Sequence, residues 1–175
     1  MGREAHFDET RWVDDFAEAW AREYPDAEDT SAMVLVTLLA RLSVLIDAFQ
    51  AASLKQFELG VNDYAVLAAL RRGGPPYELA PSRLYTSLER SSGGMTKMLK
   101  RLEQLGFVRR VPDPDDRRST LVQLTAAGKQ VEEDAFAHFV DAAHRLLEPA
   151  SPADLDNIDD SLRRLLVIIE RGFPR

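Results

Sequence analysis

Cations are concentrated in one short segment of this chain. Eight lysine and arginine residues lie between residues 90 and 118, against four acidic residues, so the segment carries a local charge of +4. Ammonium and guanidinium groups at this density bind phosphate, and some of them reach the edges of bases. The side chains predicted to make such contacts are Thr96, Lys97, Lys100 and Arg101 in a helical pattern, and Arg117 and Arg118 in a turn.

The helical part of this segment has two faces. Four small residues, Ser91 to Gly94, stand at its start, where free backbone N–H groups let a phosphate or a base edge approach closely. Apolar residues then recur every three or four positions and predict a buried face opposite the cations. These residues are Met95, Met98, Leu99, Leu102 and Leu105. A basic helix face is often only a solvated surface. The small residues next to it favour DNA recognition instead.

Two strands and a turn follow the helix. Gly106 is the expected left-handed stop, and Val108 and Val111 favour a strand. The letters PDPDD predict a turn before Thr120–Leu124 resumes the strand. In that turn Asp115 and Asp116 can pair with Arg117 and Arg118, and one arginine can also reach a narrow minor groove, since neighbouring side chains point to opposite sides. The order of elements predicts a winged helix.

The residues that a disulfide, a metal site or a catalytic site would require are not found in the sequence. The chain has no cysteine, which excludes disulfides, thiolate metal ligands and a thiol sensor. His6, His138 and His144 have no partners at metal-ligand spacing, and no Gly-rich phosphate loop or Ser, His and Asp signature occurs. We therefore expect no metal, no cofactor and no enzymatic activity.

The acidic total does not argue against nucleic acid. The net charge is −7, and residues 1 to 31, with three arginines against ten acids, already account for it. Because the Debye length is about 8 Å at physiological salt, a phosphate beside the basic segment is governed by the local cations. The most apolar run, Ala32–Ala40, is nine residues long, against the roughly 20 needed to span a bilayer. With no signal peptide at the acidic N-terminus, we expect a cytoplasmic protein without a membrane segment.

Three segments are predicted along the 175 residues. Residues 1–56 hold an extra helix over Phe7–Tyr24 and a dimerisation helix from Ser31; residues 57–125 form a winged helix-turn-helix domain; residues 126–175 form C-terminal dimerisation helices. Predicted helix starts are Asn62, Pro81, Thr125 and a capping box at Ser151 to Asp154, and Glu89 to Ser91 is the predicted helix-turn-helix turn. The apolar stripes of the second helix and the last two exceed what one small winged domain covers, so we expect a homodimer.

The chain resembles the MarR family of bacterial transcriptional regulators. The resemblance is carried by DYAVLAALRR, by PSRLYTSLERSSGGMTKMLKRLE, and by DPDDRR followed by a strand ending in LTAAG. It implies a mainly α fold with a small β-wing, made of a winged helix-turn-helix domain and a helical dimerisation domain. It further implies a repressor that binds a double-stranded DNA operator and a small-molecule effector. In the family the arginine that falls on Arg118, with Asp116 as its partner, contacts DNA from the wing tip.

The N-terminal helix is similar to one found in the urate-responsive branch of the family. Trp20 and Arg110 match that branch, but Ala65 and Met98 stand where it has Asp and Arg. We therefore expect an aromatic, weakly anionic effector other than urate, with Trp20, Tyr64, Met98 and Arg110 as its site. The alternatives are plain packing for Trp20 and, for Arg110, a phosphate contact or exposure to solvent. The alternative function is a winged-helix dimer that acts through a protein partner without sequence-specific DNA binding.

Overall fold

The computed structural model describes residues 11–26, 30–87, 92–116 and 118–172. It divides into two compact units, one up to Ala52 and one from Ser53 onward. The predicted turn at Glu89 to Ser91 and the side chain of Arg117 lie outside the described residues.

The N-terminal unit is helical. Helix α1 spans Arg11–Glu23 and helix α2 spans Ser31–Leu54, followed by a 3₁₀ turn at Lys55–Phe57. Both helices were predicted, and α1 ends just before Pro25 as expected from the missing N–H of proline.

Helix α2 is more apolar than the sequence analysis allowed. By length and composition alone, Ser31–Phe57 is the helix, among the described residues, that is able to cross a membrane, with a mean hydropathy of 2.0. The expectation rested on the uninterrupted run Ala32–Ala40, but apolar residues continue on both sides of Arg41 and Asp47. A helix covered by other protein helices has the same composition.

The second unit contains the predicted winged helix. Helices α3, α4 and α5 precede the wing, and α6 and α7 follow it. Their bounds are Val61–Arg72, Pro81–Ser87, Ser92–Gln104, Ala126–Leu147 and Pro152–Gly172. The strands β1, β2 and β3 are Glu78–Leu79, Val108–Pro112 and Thr120–Leu124. They form an antiparallel sheet in the order β1-β3-β2, and only β1, which is two residues long, was not predicted.

One hydrophobic core holds α3, α4, α5, the sheet and the first part of α6 together. Its members come from every one of these elements, and the largest of them are fully enclosed. They include Val66, Leu67, Leu70, Leu84, Met95, Leu99, Leu102, Val108, Val122 and Ala135. Burying such aliphatic side chains contributes about 1.5–3 kcal/mol each, so this core fixes α5 and the wing relative to each other.

Two helix starts differ in their agreement with the sequence. Asn62 was predicted to cap α3, but the N-cap is Gly60, and Asp63 Oδ2 accepts the Gly60 N–H at 3.0 Å. The capping carboxylate therefore belongs to the third residue of the helix, and Asn62 lies within the first turn. Thr125 caps α6 as predicted, because its Oγ1 accepts the Gly128 N–H at 3.0 Å.

The end of α5 and the start of α7 are as the sequence predicted. Gly106 ends α5 with φ +74°, a left-handed conformation that glycine adopts without steric cost. Ser151 and Asp154 form the predicted capping box at the start of α7, each accepting the backbone N–H of the other at 3.2 Å.

Close packing joins α6 to the wing, whereas α7 is uncovered. A Cβ at Gly128 would lie 1.9 Å from the carbonyl oxygen of Phe107, the residue before β2, so only glycine lets α6 approach the wing this closely. None of the described residues of α7 is buried.

Candidate nucleic-acid interface

The two faces of α5 are distributed as its periodicity predicted, except at Met98, which is partly buried, and at Leu105. Met95, Leu99 and Leu102 are at most 1% exposed, while Leu105, predicted to point inward, is 37% exposed at the C-terminal end. Gly94, Thr96, Lys97 and Lys100 are exposed. Among the described residues, neither lysine takes part in an ion pair, so both ammonium groups are available to a phosphate or a base.

The start of α5 is built for close approach. Ser92, Gly93 and Gly94 form its first turn, so their backbone N–H groups belong to the unpaired donors that open every helix. These donors and the positive end of the helix dipole favour an anion. Ser91, predicted to belong to the same contact, lies outside the described residues.

Arg101 differs from the two lysines, because its guanidinium is held by its own chain. Nη2 donates to the Glu58 carbonyl oxygen at 2.8 Å, and Nη1 lies 3.3 Å from Asp63 Oδ2. Asp63 is only 8% exposed and also caps α3. Sequence reasoning missed this partner because it assigned the cap to Asn62. The spacing Gly60-x-x-Asp63 was the signal for it.

Hydrogen bonds hold the tip of the wing. Asp113 Oδ1 accepts the Asp115 N–H, and Asp113 Oδ2 accepts the Ser119 hydroxyl, both at 2.9 Å. Asp116 Oδ1 accepts the Arg118 backbone N–H at 2.9 Å. The bond from Asp115, followed by that from Ser119, lowers the pKa of Asp113 below its usual value. Backbone groups and a serine therefore stabilise the turn.

The side chain of Arg118 projects from this turn. It is exposed, and no ion pair within the described ranges joins its guanidinium to a carboxylate. Asp116 thus binds the backbone at Arg118 and not its guanidinium. Arg117 is not described, so its predicted role stays a prediction.

Comparison with known proteins agrees with this architecture. The family model described as MarR family matches residues 57–119. The HTH-type transcriptional regulator PecS of Dickeya dadantii is 33% identical over 159 residues, which cover 91% of this chain and 93% of PecS. The chain belongs to the MarR family. It is a regulator of MarR type with a winged helix-turn-helix fold, and its relatives are transcriptional regulators and not enzymes.

Solved MarR-family structures share the fold. Apo MarR of Escherichia coli superposes with a TM-score of 0.66 at 25% identity, covering 75% of this chain and 96% of MarR. Sco3205 of Streptomyces coelicolor, solved in complex with DNA, superposes with a TM-score of 0.72 at 20% identity, covering 84% of this chain and 90% of Sco3205.

A polar row crosses the sheet of this MarR-family chain. Glu78, Gln123 and Arg109 lie side by side in the register of the three strands. The Arg109 guanidinium donates to the Gln123 side chain, whose amide in turn donates to Glu78. Arg109 is therefore committed to the sheet, and the sequence analysis, which counted it only as a local charge, did not single out this row.

The four predicted effector residues have different surroundings. Arg110 Nε lies 3.3 Å from Glu103 Oε1, so this arginine joins β2 to α5. Tyr64 packs against the core, and burial, followed by the charge of Glu132, raises its pKa. Trp20 stacks on Tyr24 with ring centroids 5.4 Å apart and lies in the N-terminal unit.

Met98 lines a pocket of about 260 Å³ between the start of α3 and the exposed side of α5. Its other lining residues are Gly60, Val61, Asn62, Asp63, Gly94, Lys97 and Arg101. The pocket thus includes one of the predicted effector residues and not Tyr64 or Arg110. It also places Lys97, a predicted DNA contact, on the wall of a cavity. Within the described part of the chain, no cluster of acidic residues, histidine or cysteine suits a metal ion.

Proposed function

We propose that this MarR-family protein is a homodimeric repressor that binds a pseudo-palindromic operator in double-stranded DNA. The observation that carries the proposal is the pair of uncommitted cationic elements in one unit: the exposed lysines of α5 and the exposed Arg118 of the wing. Their separation by a rigid core suits a helix in the major groove and a wing on the neighbouring minor groove. Sco3205, a protein of the same fold, was solved with DNA bound.

In this proposal the helix and the wing contribute differently. Gly94, Thr96, Lys97 and Lys100, with the first turn of α5, meet base edges and the phosphates beside them. Arg118 meets the minor groove or its phosphates, where it adds affinity with little base preference. Arg117 and Ser91 belong to the same predicted contact surface.

The homodimer supplies the symmetry that such an operator needs. Helix α7 and much of α2 expose large apolar side chains in the single chain, and a second copy covers them most simply. We therefore assign the apolar character of α2 to this interface and place the protein in the cytoplasm. The two recognition helices then read half-sites about 10 base pairs apart.

Selection of duplexes from a random pool by the wild-type protein tests DNA recognition directly. We expect Lys97→Ala to cost about 1–3 kcal/mol at particular base pairs of the selected site. Arg118→Ala should weaken binding to every duplex and lower the salt slope by about 1 per subunit, because it removes a backbone contact.

Lys55→Ala is the matched control, an exposed lysine in the turn after α2. Failure of the folded wild type to enrich any sequence would favour the alternative of a protein-binding dimer. Equal affinities for wild type, Lys97→Ala and Arg118→Ala would move the DNA contact to another surface.

The proposed effector is a small aromatic, weakly anionic molecule that releases the operator. Met98 offers an apolar wall and Lys97 a cation within one pocket, and DNA and effector would then compete for the same ammonium group. Trp20, Tyr64 and Arg110 remain predicted effector contacts, although Tyr64 and Arg110 do not line this pocket. Urate is not expected, because Ala65 and Met98 give its polar edge no partner, at a cost of about 1–3 kcal/mol.

Titration with salicylate and with urate, read out by Trp fluorescence and by operator release, tests the effector. Salicylate should release DNA from the wild type, and Trp20→Phe and Arg110→Ala should weaken this release, with Trp12 as the background emitter. Tight urate binding, or release unaffected by both substitutions, would show that the site or its chemistry is misplaced.

A further inference from the structure

Arg101 lies on the recognition helix, where its charge suggested a base contact, but its surroundings fit another role. We propose that Arg101 is a positioning residue that holds α5 against the start of α3 and does not read bases. This inference rests on the proposed DNA binding, and it assigns the two lysines and Arg101 on one helix to different tasks.

In the described part of the chain, Arg101 has two partners, a backbone carbonyl and a carboxylate. Arg101 donates to the Glu58 carbonyl oxygen, a residue 43 positions earlier in the chain, and pairs with Asp63. Glu58 has a left-handed backbone with φ +56° and closes the 3₁₀ turn after α2. Its carbonyl group accepts from a charged donor, which makes a shorter and stronger bond than a neutral one. The contact joins the residues directly after α2 to the helix that faces DNA.

The partner carboxylate, Asp63, is largely buried. Its side chain is 11% exposed, against 46% for Arg101, and its Oδ2 accepts the Gly60 N–H while lying near the guanidinium. A largely buried carboxylate needs such partners, since an unpaired buried charge is costly. If Arg101 turned outward to a base, Asp63 would lose its only ion-pair partner among the described residues. The largely buried Asp63 carboxylate therefore holds the guanidinium in place.

Lys97, one turn earlier on the same helix, differs from Arg101 in its partners. Lys97 and Arg101 line the same pocket, but no ion pair in the described ranges holds Lys97. Lys97 thus keeps its freedom to meet DNA, whereas Arg101 sets where α5 lies. Misplacing α5 weakens contacts at all base pairs of a site together, because every side chain on the helix shifts with it.

A double-mutant cycle on the selected duplex, with every base pair substituted in turn, tests this division. We expect Arg101→Ala to lower affinity about tenfold, or about 1.4 kcal/mol, by the same factor on every duplex and with an unchanged salt slope. Asp63→Asn keeps an oxygen for the Gly60 N–H but loses the ion pair. Asp63→Asn should reproduce this pattern. The double variant should bind DNA with no lower affinity than the more impaired of the two single variants. Lys97→Ala, the matched control, should show losses confined to particular base pairs.

Hydrogen exchange without DNA gives a second readout. The amides of α5 should exchange faster in both single variants, while those of the buried part of α6 stay protected. The proposal would be overturned if Arg101→Ala lost affinity only at particular base pairs, or if it lowered the salt slope by about 1 per subunit. It would also be overturned if Arg101→Ala weakened DNA binding while Asp63→Asn left it unchanged. If Arg101→Ala does not fold, Asp63→Asn alone decides it. If the wild type selects no duplex, the proposed DNA binding fails, and with it this inference.

Discussion

Helices α5 and α7 carry the same kind of apolar stripe, yet only α5 is covered within the chain. Leu99 and Leu102 of α5 are at most 1% exposed, whereas Leu162 and Leu166 of α7 are 48% and 57% exposed. Helical periodicity predicts that a face is apolar, and it carries no information about which surface covers that face. The difference in burial shows that α5 is covered by its own domain and that α7 is not, and in the proposed homodimer a second chain covers α7.

The largest effect expected from this comparison is loss of the dimer on replacing Leu162 and Leu166 by Asp. Each leucine buried in an interface contributes about 1.5–3 kcal/mol, so four leucines per dimer amount to about 6–12 kcal/mol. Sedimentation at micromolar concentration should show monomers. Because no described residue of α7 is buried, the winged-helix core should keep its packing and its protection from hydrogen exchange.

The matched control for this prediction is Arg164→Asp, which introduces the same charge at an exposed position of the same helix. The control should remain dimeric. A wild-type protein that sediments as a stable monomer would contradict the assignment of α7 to an interface, and so would a dimer that survives both leucine substitutions.

In α5, the covered helix, substitution of a buried leucine should lower the stability of the fold. Leu99→Ala removes a fully buried side chain and should cost about 2–5 kcal/mol of unfolding free energy, measured by urea denaturation at fixed protomer concentration. Leu105→Ala on the same helix, at 37% exposure, should cost less than about 1 kcal/mol. Equal losses at the two positions would mean that the buried face of α5 is wrongly assigned.

Local signals explain why most of the fold was predictable from the sequence. Period, glycine and capping residues act over a few positions, so α5, Gly106, the wing strands and the Thr125 cap were all assigned correctly. The cap of α3 was not, because Asn62 has a strong intrinsic preference for an N-cap. Asp63 instead bonds the Gly60 N–H from inside the first turn. Strand β1 has two residues, too few for any periodicity.

The candidate site was less predictable, because its pairings join distant positions. The sequence identified the cations of α5 and the wing, but it did not separate Lys97 from Arg101 or Arg118 from Arg110. Their different roles depend on Asp63 and Glu103, which fold beside two of them. The four charges are alike in composition, and only the folded chain shows that Arg101 and Arg110 are paired with carboxylates.

A buried acid on α6 adds a test of how the covered region responds to pH. Glu132 is 6% exposed and faces Arg71, whose Nε lies 3.7 Å from its carboxylate. Burial raises the pKa of Glu132, the charge of Arg71 lowers it, and Glu133 raises it further, with a net rise above the usual 4.5. Tyr64 is also close enough for its own pKa to respond to the Glu132 charge.

The smallest predicted effect is the pH dependence that follows. Since folded Glu132 binds its proton more tightly than the unfolded chain does, the free energy of unfolding falls as pH rises from 4.5 through the raised pKa. Glu132→Gln removes the titrating proton and should flatten this fall in a series of urea denaturations. Glu133→Gln, whose parent side chain is 60% exposed, removes only a smaller contribution to the raised pKa of Glu132 and should leave most of the slope in place. If both variants show the same dependence of unfolding free energy on pH as the wild type, the Glu132 carboxyl is exposed to solvent. The contact between α3 and α6 is then looser than its packing indicates.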